Sequence, residues 1–266
     1  VPLPATSQYI GVTTIGGHTS RAVDFQARTD VWMTLGKPTP WTGTDPLRPG
    51  NPAVSDTTFP PLPNPLTTAL LEPVVAKKAT LHLVVPDNTN GTIYAYGLKW
   101  RIVTPQDAIT LGARHVAVIT SFDYNEAPTH SVDSYLIQNE AIGATVLHVK
   151  SADGYQVGDE IKCGGIDGQE TTVTAVNTSL DTITIADPLT ALLYRGTYIT
   201  NLTNPTAFAY RQVGVLSRVT ANLGAPGQLI TPMEYITASL LEYLYNTLPI
   251  PRELNRRDGP TLILTF

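Results

Sequence analysis

The sequence predicts a mainly β fold with a few short helices: an antiparallel or mixed β-sheet core domain that carries an inserted small β-barrel-like or sandwich module. Three observations predict it. Charged residues make up only 15% of the 266-residue chain, while 22 prolines and 20 glycines interrupt it often; this texture suits short strands and turns better than a helical bundle. Apolar residues recur with period two through most of the chain, the spacing that puts alternate side chains on one face of a strand. With 42% hydrophobic residues, a chain of this length can bury roughly three quarters of the surface its unfolded form exposes.

The first expected strand is Val31 to Leu35. It stops at a glycine and is followed by the stretch "TLGKPTPWTGTDPLRPGNPAVSDTTFPPLPNP", dense in proline, with Trp41 and Phe59 set among the prolines. "ATLHLVV" then places Leu81, Leu83 and Val85 on one strand face. "TPQDAITLGA" opens as a short helix, with Thr104 as cap and proline at the first helical position. "RHVAVITSFDY" places Val116, Val118, Thr120 and Phe122 on one face.

From Val132 to Thr203 short β segments alternate with the turn-forming groups "SADG", "GGIDG", "NTSLD" and "ADPL". Leu147, Val149, Ile161, Cys163, Val173, Ile183 and Ile185 point inward on this reading. Residues 132–203 are expected to be the inserted module, and residues 1–131 plus 204–266 a discontinuous core domain. The flanking segments "VAVITSFDY" and "AFAYRQVGVL" could pair with each other if that module were removed. "YRQVGVLSRV" is a strand with Val213 and Val215 inward, and "TLILTF" closes the chain with Leu262, Leu264 and Phe266 on one face. Between them "TPMEYITASLLEYLYN" predicts a helix. Thr231 caps it, Pro232 starts it, Glu234 completes a capping-box spacing, and Met233, Ile236, Leu240, Leu241 and Leu244 form one stripe.

Chemistry-bearing patterns are sparse. The net charge is −5, and the 17 basic residues form no stripe of the kind that binds nucleic acid. No run approaches the length of a membrane span, and the first residues lack the pattern of a secretory signal, so neither nucleic acid nor membrane is an expected partner and classical secretion is not expected. The lone cysteine, Cys163, reads as a small buried apolar residue. His18, His82, His115, His130 and His148 sit outside any metal-ligand spacing. The polar cluster "DYNEAPTHSVD" gathers Asp123, Glu126, His130 and Asp133, a set able to meet a hard cation but without the spacing of a calcium loop; a solvated junction is the expected reading. No nucleophile elbow, phosphate loop or dinucleotide fingerprint is present. The expectation is a protein that is not an enzyme, with no catalytic, cofactor-binding or metal-binding residue.

Two segments remain as candidate interface: Pro40, Trp41, Phe59, Pro60 and Pro61 in the proline-rich stretch, and Arg252, Arg256 and Arg257 near the end. Proline-rich chain has little backbone entropy to lose on ordering, so it can lie as a stiff arm across a neighbour, with the aromatics as anchors. The same arm could equally pack on its own domain. The arginines adjoin Glu253 and Asp258, which makes local ion pairing the simpler reading for them.

These residues also carry a resemblance. "TLGKPTPW" followed by "FPPLP" resembles the opening of the baseplate wedge proteins encoded by gene eight of T-even contractile-tailed phages, in which a strand, Gly-Arg, a Pro-Trp pair and a PP-x-P segment follow in the same order. "GLKWRIV", "FAYRQVGVL", "LLEYLYNTLPIPRE" and the final "LILTF" resemble later segments of that family, the third of them a helix end. The resemblance covers residues 27–131 and 204–266 and has no counterpart for 132–203. It implies a noncatalytic, β-rich structural protein of the virion tail baseplate, assembled in the host cytoplasm, that forms a homodimer and binds other phage baseplate or tail proteins. A neck or tail-fibre adaptor, and a host-glycan-binding or glycan-cleaving tail protein, are the alternative readings.

Overall fold

The computed structural model describes residues 14–42, 45, 56, 60–63, 65–122, 126–128, 133–164, 167–204, 208–218, 229–230, 240–252 and 259–266. Along the chain come α1 (Ile15–Gln26), β1 (Trp32–Gly36), β2 (Val75–Lys78), β3 (Thr80–Pro86), β4 (Ile93–Ala95), β5 (Leu98–Ile102), α2 (Pro105–Leu111) and β6 (His115–Ile119). Then follow β7 (Ser134–Tyr135), β8 (Val146–His148), β9 (Glu160–Cys163), β10 (Gln169–Asn177), β11 (Thr182–Ile185) and β12 (Tyr198–Asn201). The last elements are β13 (Ala209–Ser217), β14 (Leu229–Ile230), β15 (Leu240–Pro251) and β16 (Thr261–Thr265). The fold is mainly β, as the period-two patterning predicts, and all strand pairings are antiparallel.

Two compact units divide the chain. The first comprises Val1–Thr29, Thr80–Ile119 and Thr261–Phe266. Its sheet runs β16-β6-β3-β5-β4. Register places Leu81 opposite Val118 and Leu83 opposite Val116, with Leu262 and Leu264 opposite the same two valines from the other side. All six are buried, and each fully covered side chain of this size stabilises by about 1.5–3 kcal/mol. Val85, expected on the same face, is half-buried. On the opposite face Val84, Ala95, Trp100 and Ala117 form a second small core with Ile93, Ile119 and Ile263. The Trp100 indole donates to the Ala95 carbonyl at 3.1 Å, so its polar edge stays satisfied when buried.

The helix α2 forms as its sequence predicts. The Asp107 amide donates to the Thr104 hydroxyl at 3.1 Å, that hydroxyl donates to the Asp107 carboxylate at 2.8 Å, and Gly112 ends the helix at φ 62°, where a side chain would be strained. The helix α1 has no counterpart in the sequence reading. Thr14 caps it, and Thr19, Ala22 and Phe25 form a buried stripe at i, i+3 spacing. The signal was there, but Gly16 and Gly17 near its start, each unfavourable inside a helix by about 1 kcal/mol, obscure it.

The second unit comprises Asp30–Ala79 and Thr120–Pro260 and contains two sheets. One has the order β14-β2-β1-β13-β15, with β1 buried along its whole length. In this sheet the structure corrects two expectations. Residues 240–246, predicted as the second half of a helix that ends at "LPIP", instead belong to the edge strand β15, with Leu241 opposite Leu216, Tyr243 opposite Val215 and Tyr245 opposite Val213. The leucines do fall at helical spacing, but Tyr243 and Tyr245 also alternate, opposite Val215 and Val213, and the long buried partner strand β13 decides in favour of the strand. Pro249 and Pro251 are tolerated because β15 is an edge. The predicted helix start, residues 231–239, lies outside the described residues. Likewise β6 and β13, expected to be able to pair with each other, belong to different sheets.

The other sheet has the order β7-β12-β9-β10-β11-β8. Its two end strands are linked: the Lys150 amide donates to the Tyr135 carbonyl at 2.8 Å and the Ile137 amide to the His148 carbonyl at 3.0 Å, with Leu136 bridging Val149. The sheet thus closes on itself as a small barrel. Leu147, Val149, Ile161, Cys163, Val173, Ile183 and Ile185 all lie in its interior, with Leu136, Tyr155, Leu189 and Ile199. The Tyr155 hydroxyl donates to the Ile199 carbonyl at 2.6 Å and accepts from the Ser134 amide at 3.0 Å. Burial pushes the Cys163 thiol up to about 12, which leaves it protonated and inert, a packing residue.

Candidate interface region

The proline-rich stretch begins where β1 ends. Lys37 has φ 55° and Glu72 has φ 44°, both in the left-handed region that costs a side-chain-bearing residue about 1–2 kcal/mol. These two strained residues mark the points where the arm leaves and rejoins the sheet, and they are tied together. The Lys37 amide donates to the Leu71 carbonyl at 2.8 Å, and the Lys37 ammonium reaches Glu72 at 3.1 Å, Asp45 at 3.1 Å and the Thr39 hydroxyl at 2.7 Å. Burial alone would raise the Glu72 carboxyl, but the Thr39 hydroxyl and the Lys37 ammonium outweigh it and hold the group below its ordinary value. Lys37 is only 3% exposed, so these partners stand in for the water its ammonium has lost.

Trp41 is buried and faces its own unit. Its indole donates to the Thr247 carbonyl at 3.0 Å, and its backbone amide donates to Asp56 at 3.1 Å. The position of Thr247 explains the contact. In the β13–β15 ladder Gln212 stands opposite Asn246 and Tyr210 opposite Ile250, so Thr247, Leu248 and Pro249 bulge out against Arg211 alone. A bulge takes backbone groups out of the ladder, and the tryptophan supplies one of them with a partner.

Arg211, opposite that bulge, holds the middle of the arm. Its guanidinium forms a two-pronged pair with Asp56, Nε to Oδ1 at 2.7 Å and Nη2 to Oδ2 at 2.6 Å, and Nη1 donates to the Pro38 carbonyl. The Arg211 contact, foremost among the causes, holds the Asp56 carboxyl below its ordinary value. Further along, the Pro61 carbonyl accepts from the Asn246 amide at 2.8 Å, while Gln212 links Asn246 at 2.9 Å to the Leu71 amide at 2.7 Å. Leu70 lies over Gly214; a Cβ there would meet Leu70 Cδ1 at 2.6 Å, so the glycine makes room for the returning arm.

Of the eight residues the sequence singles out, the structure brings Trp41 and Pro61 into the packed side of the arm. It leaves Pro40 exposed and Pro60 half-buried, and it buries Arg252, whose backbone amide donates to the Phe208 carbonyl at 2.9 Å. Phe59, Arg256 and Arg257 lie outside the described residues. Sequence reading missed Lys37, Asp56, Arg211 and Asn246, the polar fastenings of the arm, because each pairs across a long separation in sequence that no local pattern reveals. From the polar cluster, Glu126 pairs with the Lys77 ammonium at 2.7 Å and Asp133 accepts from the Asn201 amide at 2.9 Å; Asp123 and His130 lie outside the described residues. Among the described residues no three His, Cys, Asp or Glu side chains converge on a metal-sized space.

No curated protein matches this chain. Residues 10–134 match a protein-family model described as baseplate wedge 3 tail fiber network component. The match spans just under half of the chain; it takes in α1, β1, the described part of the arm and the strands up to β6, and it ends at the first residue of β7. Over that span the chain is similar to a structural component of a phage baseplate.

Proposed function

We propose that this chain is a structural protein of a phage tail, a baseplate wedge component that pairs with a second copy of itself and links neighbouring wedge or fibre-attachment proteins. The observation that carries the reading is the match over residues 10–134, which spans the whole proline-rich arm. The arm is fastened on its inner side by Trp41, Asp56 and Lys37, and on this reading its outer side meets the neighbour. Pro40 and Leu62, the latter 54% exposed, belong to that outer side. Rigid fastening lowers the entropy lost on docking. Residues 132–203 are in this proposal a module inserted into the core domain, with the small barrel as its body.

The test is reconstitution. The purified chain mixed with the other baseplate proteins of its phage is expected to migrate with at least one of them in a larger complex. The double substitution Pro40→Asp with Leu62→Asp, at two exposed positions, is expected to weaken that complex at unchanged thermal stability. A wild-type chain that remains alone in every mixture would refute the reading.

A further inference from the structure

We infer that Asn90 is a site of spontaneous deamidation in which the Gly91 nitrogen is the nucleophile and the turn built on Asp87 sets the rate. Asn90 is exposed and is the one asparagine of the chain that is followed by glycine, so no side chain shields the attacking nitrogen. In the reaction the Gly91 nitrogen loses its proton and bonds to Asn90 Cγ. The Cγ–Nδ2 bond breaks, and ammonia leaves with the proton that the backbone gave up. Water then adds to either carbonyl of the resulting five-membered imide and opens it to aspartate or isoaspartate. Water is the only co-reactant, and no electrons change hands.

The hairpin keeps this reactive pair by necessity. A Cβ on Gly91 would lie 2.5 Å from the Asp87 carbonyl oxygen and 2.6 Å from the Trp100 nitrogen, backbone atoms that cannot yield. No residue with a side chain fits there.

The same turn restrains the chemistry. The Gly91 N–H donates to the Asp87 carbonyl at 2.8 Å, so its proton is held in the turn. The Asn90 backbone amide donates to Asp87 Oδ1 at 2.9 Å, the Asn90 side-chain amide reaches Oδ2 at 3.5 Å, and Arg101 Nε holds Oδ2 at 2.9 Å. The nitrogen becomes available only when the turn opens locally. Conversion places a second carboxylate beside Asp87, and isoaspartate lengthens the main chain between β3 and β4, so the altered turn no longer closes in the same way.

The full chain held at mildly alkaline pH and physiological temperature, then mapped by peptide mass spectrometry, tests this. Amide-to-acid conversion is expected at Asn90 ahead of every other asparagine. It is expected to be at least roughly fivefold faster in Asp87→Ala, which takes away the carboxylate that accepts from the Thr89 and Asn90 amides and from Arg101, and faster again in the wild-type chain unfolded in urea, a comparison that holds even if the variant fails to fold. An Asn90 that keeps its amide while other asparagines convert, or that converts no faster in urea than in the folded chain, overturns the inference.

Discussion

Replacing Trp41 with alanine is expected to lower the stability of the unit containing β1, β13 and β15 by about 3–5 kcal/mol, read as a lower denaturant midpoint at unchanged slope. Two losses add. The indole is 5% exposed, so its removal leaves a cavity, and the Thr247 carbonyl in the β15 bulge loses the donor at 3.0 Å. Trp41→Phe separates them: it keeps much of the ring but not the N–H, and is expected to cost about 1–3 kcal/mol, the penalty of a buried polar group left without its partner. A Trp41→Ala protein that unfolds at the wild-type midpoint would show that the arm is not fastened there.

Asp56→Ala is the second large effect. Arg211 has a side chain only 7% exposed. Asp56 is 23% exposed and Arg211 keeps the Pro38 and Ala209 carbonyls, so losing the carboxylate is expected to cost about 3 kcal/mol, the low end for breaking a buried pair. The pair also sets a pH dependence with a definite sign. Arg211 holds the Asp56 carboxyl below its ordinary value in the folded chain. Its contribution is therefore complete above the unfolded aspartate value, about 4, and is lost as pH falls through the lower folded value. Wild-type stability should accordingly show a loss below about pH 4 that is smaller in Asp56→Asn, which carries no titrating group at that position. Acid profiles that run parallel in the two proteins would mean that the pair contributes nothing in solution.

Much of the fold is legible in the sequence where neighbours in sequence do the work. Thr104, Pro105 and Gly112 write the start and stop of α2, and the alternation of Ile161 with Cys163 and of Ile183 with Ile185 writes the barrel interior. It is not legible where a distant partner decides. Leu240, Leu241 and Leu244 fit a helix until β13 lies beside them, and the hydrophobic stripe of α1 is diluted by two glycines and polar neighbours. The arm shows the same division. Its prolines and Trp41 are conspicuous in the sequence, whereas the side that Trp41 faces is set by Thr247, and the charge that Asp56 needs comes from Arg211. Composition identifies the segment as stiff and anchored; only long-range pairing says what anchors it.

Whether this chain is a fixed part of a tail, its work being contact with other chains, is tested most directly by an electron-microscopy map of the intact phage particle. The map is predicted to place the chain in the baseplate, with the outer side of the arm around Pro40 and Leu62 against a neighbouring protein. A particle that lacks the chain, or a map that shows it outside the tail with that side open to solvent, would contradict the account.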